Sequence, residues 1–394
     1  MKNKRLFFIA LINFIAMGVN LLTFAILSNL VGAESFGIFQ LILANLQILS
    51  ILAIPGLLPA TTQSTARGFE GTFRQNLKFS LFALSFFSIA LLLGSNFFEL
   101  STILVVLDYI DIWILLLAIF LIFSLKQWVS FQNGKGRYLL TNSIQLISRI
   151  LFLVCVTYSA YKNFVDIELI LIFYIISFGL INIFGIFLSK VKNKKIEQGS
   201  LKFGITTTIA ETPSLISNQV EKIILGASSL LSDLGLFALI SSLAESAKGF
   251  MQSIITTKTP DLARGNFQQL FRKEMFSIYV FFLLLFVSLS FAIEPIINYF
   301  FPALNSKNYM FLIFLSLIFS IPTMSLLTYL KAKLSQTYIL NIQISSAIFR
   351  TLLAIFLIPA YGFYGAVLGV VIYRLFQFIC ASIFTYLFIL HHEK

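Results

Sequence analysis

The sequence predicts an all-α, polytopic membrane protein, and three observations lead to that fold class. Of its 394 residues, 58% are hydrophobic and only 11% are charged, whereas soluble domains usually have about 45–50% apolar and about 25% charged residues. The mean hydropathy is +0.94. The apolar residues are gathered in stretches of about 20, the length that crosses a bilayer as a helix. These features exclude a water-soluble globule.

Twelve such stretches are predicted to be spans. They cover approximately residues 6–29, 36–58, 79–98, 103–125, 138–160, 169–189, 203–227, 234–257, 275–293, 308–330, 337–359 and 363–390. The first is too long for the apolar region of a cleaved signal peptide. Asp108 and Asp111 interrupt the start of the fourth, so it is expected to begin nearer residue 112.

The orientation follows from the distribution of Lys and Arg. The N-terminus, every second connector after it and the C-terminus hold 21 basic residues, while the other connectors hold only Lys162 and Lys307. Because basic residues collect in cytoplasmic connectors, both termini are predicted to be cytoplasmic. The net charge of +12 therefore has a topological explanation and does not indicate a nucleic-acid partner.

The second half of the chain repeats the first at an offset of about 198 residues. Phe36–Phe39 at the start of the second span is matched by Leu234–Phe237 at the start of the eighth. The Ala-Arg-Gly sequence at 66–68 recurs at 263–265, and 138–149 resembles 338–350 with one residue of slippage.

An offset that carries six spans gives both copies the same orientation, so this is a parallel repeat. It predicts two six-helix bundles, residues 1–189 and 203–394, related by a pseudo-two-fold axis along the membrane normal. Residues 190–202, with the Lys-rich sequence KVKNKKIEQGSLK, are predicted to be a solvated cytoplasmic linker.

Three segments resemble a known family. LSNLVGAESFGIFQ after the first span, the Ala-Arg-Gly connector, and NQVEKIILGASSLLSDLGLFALISSLAES around the seventh and eighth spans are similar to the polysaccharide or O-antigen flippases. That family belongs to the multidrug/oligosaccharidyl-lipid/polysaccharide exporter superfamily, and the resemblance covers essentially the whole chain. It implies a multi-pass protein of the bacterial cell (inner) membrane that handles a lipid-linked oligosaccharide, alongside membrane lipid and other polysaccharide-assembly proteins.

Setting aside Asp108 and Asp111 at the start of the fourth span, eight charged residues fall inside the predicted spans. Each costs at least about 2.5 kcal/mol to insert and is therefore a candidate functional residue. They are Arg149, Glu211, Glu221, Lys222, Glu245, Lys248, Arg350 and Arg374. Arg149 and Arg350 are expected about 17 and about 20 Å from the cytoplasmic side, counting 1.5 Å per residue. They are interpreted as two pseudo-symmetric guanidiniums facing a central cleft and holding a phosphate or an acidic sugar. The alternative is that each pairs with a carboxylate or with carbonyls and locks helices together.

The other intramembrane charges complete the predicted site. The predicted substrate-binding set also includes Arg374, Lys222 and Lys248. The alternative for Arg374 is that it caps a helix interface, and the alternative for Lys248 is that it pairs with Glu245 at i,i+3. Coupling to a cation or helix pairing is assigned to Glu211, Asn218, Glu221 and Glu245.

The seventh span adds a pattern of its own. Thr208, Glu211, Asn218 and Lys222 fall on one helical stripe. Pro213 removes a backbone hydrogen bond next to Glu211 and is expected to break the helix there, as at transporter sites; the alternative is a kink used only for packing. Glu221 near the outer end has the alternative of an interfacial position.

The predicted function is a flippase that moves a polyprenyl-pyrophosphate-linked oligosaccharide from the cytoplasmic to the outer leaflet by alternating access. The substrate class comes from the resemblance, while five intramembrane cations against three acids favour an anionic cargo. Cation-coupled multidrug efflux, with Glu211 and Glu245 as its cation site, is the alternative. A polytopic polymerase or glycosyltransferase is third, although the short connectors argue against it.

No catalytic or metal site is predicted. The two histidines, His391 and His392, lie in the tail, and no ATP- or dinucleotide-binding motif is present. We therefore expect a protein that is not an enzyme and has no cofactor beyond a coupling ion, H⁺ or Na⁺.

Overall fold

The computed structural model describes residues 2–95, 109–256, 273–302, 304, 309–333 and 335–392. Within these ranges the regular structure is helical and no strand occurs. Asp108, Lys307 and the repeated connector at 263–265 lie outside the described residues. The predicted fold class, an all-α polytopic membrane protein, is confirmed.

The chain forms two compact units, residues 1–215 and 216–394. The first unit contains these helices: α1 (Lys2–Leu49), α2 (Leu57–Ala66), α3 (Gly71–Ser95), α4 (Ile112–Ala118), α5 (Gln127–Gly134), α6 (Tyr138–Lys162), α7 (Ile167–Leu188) and most of α8 (Ser200–Ser217). The second contains the end of α8 and α9 (Val220–Ala227), α10 (Leu231–Thr256), α11 (Lys273–Phe300), α12 (Phe311–Leu315), α13 (Leu317–Ala332) and α14 (Gln336–His392).

Seven helical segments within the described ranges are long and apolar enough to cross a membrane. Two of them, Leu11–Ala53 and Thr337–His391, contain 43 and 55 residues. At 1.5 Å per residue they are about 65 and about 83 Å long, more than twice the length needed for a hydrocarbon core of about 30 Å. Helices α3, α8 with α9, and α10 coincide with the third, seventh and eighth predicted spans but are not among the seven.

The sharp corners of the two units repeat at the offset seen in the sequence. The first corner of unit 1 is at Gly32, with φ 81°, and its counterpart in unit 2 is Ser229, with φ 57°. The fifth and sixth predicted spans meet at Asn163, with φ 54°, in unit 1, and the eleventh and twelfth meet at Gly362, with φ 55°, in unit 2. Because left-handed backbone is uncommon outside glycine and asparagine, these matched positions are independent support for the internal repeat.

One span in each unit is also broken near its middle. In unit 1, α4 ends at Ala118 and continues as a π-helical segment, Ile119–Ser124. In unit 2, α12 and α13 are separated at Ser316, which lies 198 residues after Ala118. Such breaks free backbone carbonyls and commonly occur at functional sites.

The seventh span is broken as well, which corrects one prediction. Helix α8 continues past Pro213 to Ser217, and α9 begins only at Val220. The predicted stripe is therefore not on one helix, because Thr208 and Glu211 lie on α8 while Lys222 lies on α9.

Tight packing on unit 1 explains why α8 belongs to that unit. The Gly56 amide donates to Thr208 Oγ1 at 2.9 Å. A Cβ at Gly56 would lie 2.1 Å from the Gly204 carbonyl oxygen, so only glycine permits this approach.

The predicted linker is anchored to unit 1 rather than free. Glu70 accepts hydrogen bonds from the Lys192 amide at 2.6 Å and forms an ion pair with Lys135 at 3.0 Å. Glu197 accepts from Ser64 at 2.5 Å and pairs with Arg67 at 2.6 Å. We call these contacts of Glu70 and Glu197 the linker clasp.

Both carboxyl groups of the linker clasp have lowered pKa values. Burial raises the pKa of Glu70, but the Lys192 amide and the Lys135 ammonium outweigh it. The pKa of Glu197 is lowered chiefly by the Ser64 hydroxyl, with Arg67 adding to the effect. The lysine side chains at 192, 194 and 195 are exposed, as expected of a solvated segment, although the backbone of the linker is held in place.

Candidate functional site: a cationic cavity in the first unit

A cavity of about 100 Å³ lies within unit 1 among α6, α7 and the broken fourth span. Its lining consists of Ile122, Lys126, Gln145, Ser148, Arg149, Phe178, Ile181 and Asn182. Helix α6 contributes three of these residues at neighbouring helical positions, 145, 148 and 149. The lining combines two cations with amide and hydroxyl groups and an apolar wall.

Asn182 explains how the broken span is stabilised beside this cavity. Its Nδ2 donates to the carbonyl oxygens of Leu121 at 2.9 Å and Ile122 at 3.1 Å, both within the π-helical segment. Its Oδ1 accepts from Trp128 Nε1 at 3.0 Å. Because unpaired carbonyls are costly away from water, this side chain permits the break and fixes the backbone on either side of it.

The break places Lys126 in the cavity beside Arg149. Lys126 lies in the turn between the π-helical segment and α5, where its side chain is exposed, and it lines the same cavity as Arg149. No carboxylate forms an ion pair with either within the described part of the chain. Two adjacent cations without an acid form a local positive field that suits an anion.

A guanidinium beside an ammonium can hold a phosphate group in a defined way. The planar fork of Arg149 can contact two phosphate oxygens at once, while Lys126 supplies a compact charge. Tyr174, on α7, lies close to Arg149 and packs edge-to-face on Phe152, with ring centroids 5.2 Å apart. Sequence reasoning missed Lys126 because it was counted as a connector cation.

The counterpart arginine in unit 2 has a different environment. Arg350 Nε lies 2.6 Å from Glu221 Oε1, and its NH1 donates to Asn218. Its guanidinium lies over the Tyr373 ring, 4.8 Å from the centroid. Glu221 is 1% exposed, so its carboxylate is buried within the protein. Arg350 therefore has the geometry of the helix-locking alternative, and its predicted contact with substrate stays a prediction.

Arg374 stabilises the broken tenth span. It is 5% exposed and donates to the Ile313 carbonyl at 2.5 Å and to Ser316 Oγ at 2.8 Å. It also lies 3.3 Å from Glu245 Oε1. The sixth and twelfth predicted spans thus contribute the side chains that bond to the broken segments, Asn182 in unit 1 and Arg374 in unit 2.

The remaining predicted residues are distributed around these pairs. Lys248 pairs with Glu245 at 3.0 Å, the i,i+3 geometry expected from the sequence. Lys222 is half-buried and within electrostatic range of Glu221 and Glu245. Glu211 is half-buried on α8. In unit 2 Glu221 and Glu245 are thus engaged with cations, which distinguishes that unit from the cavity around Arg149.

Comparison with known proteins identifies the family. A profile of the family described as "Polysaccharide biosynthesis protein" matches residues 3–266, which is more than half of the chain. The chain belongs to this family. No curated protein sequence matches it.

Solved structures show the fold of this family member. A lipid II flippase MurJ in an inward closed conformation is similar, with a TM-score of 0.73, 16% identity, and coverage of 95% of this chain and 86% of that one. An inward-facing multidrug resistance MATE transporter of the MOP superfamily gives a TM-score of 0.70 at 14% identity, covering 96% and 98%. The Vibrio cholerae MATE transporter VcmN gives a TM-score of 0.63 at 15% identity, with coverage of 99% of this chain and 97% of that one. The predicted membership in a polysaccharide biosynthesis family is confirmed.

The family match includes residues 3–215 of unit 1 and therefore the cavity. Lys126, Arg149 and Asn182 lie within residues 3–266, while Arg350 and Arg374 lie beyond them. The cationic cavity is thus in the part of the chain on which the family assignment rests.

Proposed function

We propose that this polysaccharide biosynthesis family member is a flippase. It moves a polyprenyl-pyrophosphate-linked oligosaccharide from the cytoplasmic to the outer leaflet of a bacterial inner membrane, with both termini in the cytoplasm. Transport proceeds by alternating access and serves the assembly of a polysaccharide such as O-antigen. The chain is a transporter and not an enzyme, and it works with other polysaccharide-assembly proteins.

The observation that carries this proposal is the pair of cations at Arg149 and Lys126. A cation inside a predicted span, such as Arg149, is costly, and a second cation, Lys126, in the same cavity without an acid adds repulsion. A pyrophosphate with two or more negative charges offsets that repulsion when it enters the cavity. The neutral lining side chains, Gln145 and Ser148, add hydrogen-bonding groups for phosphate or sugar oxygens.

The similar structures support the proposal through their fold. One is described as a lipid II flippase and others as multidrug transporters, so this fold serves export of both kinds of cargo. Among the acids of the efflux alternative, Glu245 is engaged with Lys248 and Arg374. That engagement favours an anionic cargo over a cationic drug, while coupling to H⁺ or Na⁺ at Glu211 stays part of the proposal.

Glycan export in a strain lacking the native gene tests the proposal. Export, normalised to membrane-inserted protein, is expected to fall about 5- to 30-fold for Arg149→Lys, because an ammonium loses a bidentate contact that contributes roughly 1–2 kcal/mol. Lys126→Gln is expected to act in the same direction. The matched control is Lys162→Gln, which removes a cation of unit 1 outside the cavity.

Two outcomes would contradict the proposal. Normal export by an Arg149→Ala, Lys126→Gln double variant would remove the cavity from the transport site. Unchanged glycan export on deletion of the gene, together with increased sensitivity to cationic drugs, would favour the efflux alternative.

A further inference from the structure

A second basic cavity lies at the end of unit 1 where the linker is anchored. Its volume is about 360 Å³, within the range of about 300–1,000 Å³ typical of small-ligand sites. Three cations line it, Arg74 and Lys78 on α3 and Lys194 on the linker, together with Val191 and Ile196. This cavity is separate from the one around Arg149, since the two share no lining residue.

None of the three cations forms an ion pair within the described part of the chain. The acids nearest in sequence are engaged elsewhere, since Glu70 and Glu197 form the linker clasp. The clasp fixes the backbone around Lys194, with the Gly71 amide donating to the Lys195 carbonyl at 2.9 Å. The cavity is therefore held in shape while its positive charge is left uncompensated.

An apolar stripe continues from this cavity along α3. Arg74 and Lys78 are followed at steps of four by Phe82 and Phe86, and then by Ile89 and Leu93 at steps of three and four. These positions share one face of the helix. Phe82 is 68% exposed and Phe86 is 61% exposed. A charged end followed by exposed aromatic and aliphatic side chains is the pattern of a helix that passes from the headgroup region into the hydrocarbon core.

We propose that this cavity binds an anionic phospholipid of the surrounding bilayer. The headgroup phosphate lies among Arg74, Lys78 and Lys194, and an acyl chain lies along the Phe82–Phe86 stripe. Basic pockets at the cytoplasmic end of membrane helices suit such headgroups. The lipid would join the linker to α3, and it would occupy a site different from that of the transported cargo. A free phosphate ion shares the headgroup chemistry but leaves the stripe uncovered.

The test uses the purified full chain, titrated with phosphatidylglycerol or phosphatidylcholine and measured by native mass spectrometry, in the absence of any glycolipid. An Arg74→Gln, Lys78→Gln, Lys194→Gln variant is expected to lose phosphatidylglycerol affinity about a hundredfold, because each basic residue contributes about fivefold. The matched control is Lys190→Gln, Lys195→Gln, Lys202→Gln. It removes the same charge from the same end of the unit without altering the cavity lining.

Two further arms distinguish the source of the phosphate. A Phe82→Ala, Phe86→Ala variant is expected to weaken phosphatidylglycerol binding, whereas Phe184→Ala, Phe187→Ala, which removes exposed Phe side chains of α7, is not. Millimolar inorganic phosphate is expected not to displace the lipid. Equal phosphatidylglycerol affinity in the two triple variants would overturn the proposal. Displacement by inorganic phosphate with no effect of the Phe82 and Phe86 substitutions would replace the lipid with a free anion.

Discussion

Removing the Arg350 side chain is expected to destabilise unit 2. Arg350 Nε lies 2.6 Å from Glu221 Oε1, and the carboxylate is almost fully buried. Arg350→Ala would leave that carboxylate without its cation, which for a buried pair typically costs about 3–5 kcal/mol. It would also leave the Asn218 side chain without its donor. The loss should appear as reduced folding stability and not only as reduced transport.

The assay is thermal unfolding of the purified protein, compared with the yield of membrane-inserted protein. Arg350→Ala is expected to lower both. A double variant, Arg350→Met with Glu221→Leu, is expected to recover most of the stability, because replacing both members of a buried pair by apolar groups is often neutral. Arg149→Ala is the matched comparison, and it is expected to leave the unfolding temperature nearly unchanged, since Arg149 forms no ion pair within the described residues.

One result would refute this reasoning. If Arg350→Ala unfolds at the same temperature as the unmodified chain and still loses export, Arg350 serves the cargo and Glu221 does not depend on it. Recovery of export without recovery of stability in the double variant would contradict the reasoning as well.

Two further predictions concern the linker and the packing of unit 1. Glu70 and Glu197 have pKa values below the ordinary 4.5. The linker clasp should therefore be complete above about pH 4.5 and should be lost as the pH falls through the lowered pKa values of these two carboxyl groups. Hydrogen exchange of residues 190–199 measures this, and Glu70→Gln with Glu197→Gln should remove the pH dependence. Gly185→Ala should be strongly destabilising in thermal unfolding, because a Cβ there would lie 2.2 Å from the Trp128 ring. Gly249→Ala is its control, since nothing lies within 4 Å.

Either of these predictions can fail clearly. Linker amides that exchange at the same rate at pH 7 and at pH 3, after correction for intrinsic exchange, would show that the clasp does not hold the segment. A Gly185→Ala variant as stable as Gly249→Ala would show that α7 does not pack on Trp128 as closely as the structure has it.

Among the described residues, local helical spacing predicts the partners of one intramembrane ion pair. Lys248 and Glu245 are three residues apart on α10, and their pairing follows from helix geometry alone. Arg350 and Glu221 are 129 residues apart, as are Arg374 and Glu245. The sequence identified these residues as unusual because a charge in an apolar run is costly. It carried no information on which of the charged residues would form ion pairs with one another.

The sequence by itself determined the class, the internal repeat and the family, because hydropathy and repeated motifs are written along the chain and need no knowledge of packing. Only the tertiary structure decided that Arg149 and Arg350 differ, although the repeat makes them look equivalent. Lys126, just after the break at Ile119–Ser124, lines the same cavity as Arg149. Arg350 instead forms an ion pair with the buried carboxylate of Glu221. The physical reason is that electrostatic environment depends on which helices pack together, and that packing joins residues far apart in the chain.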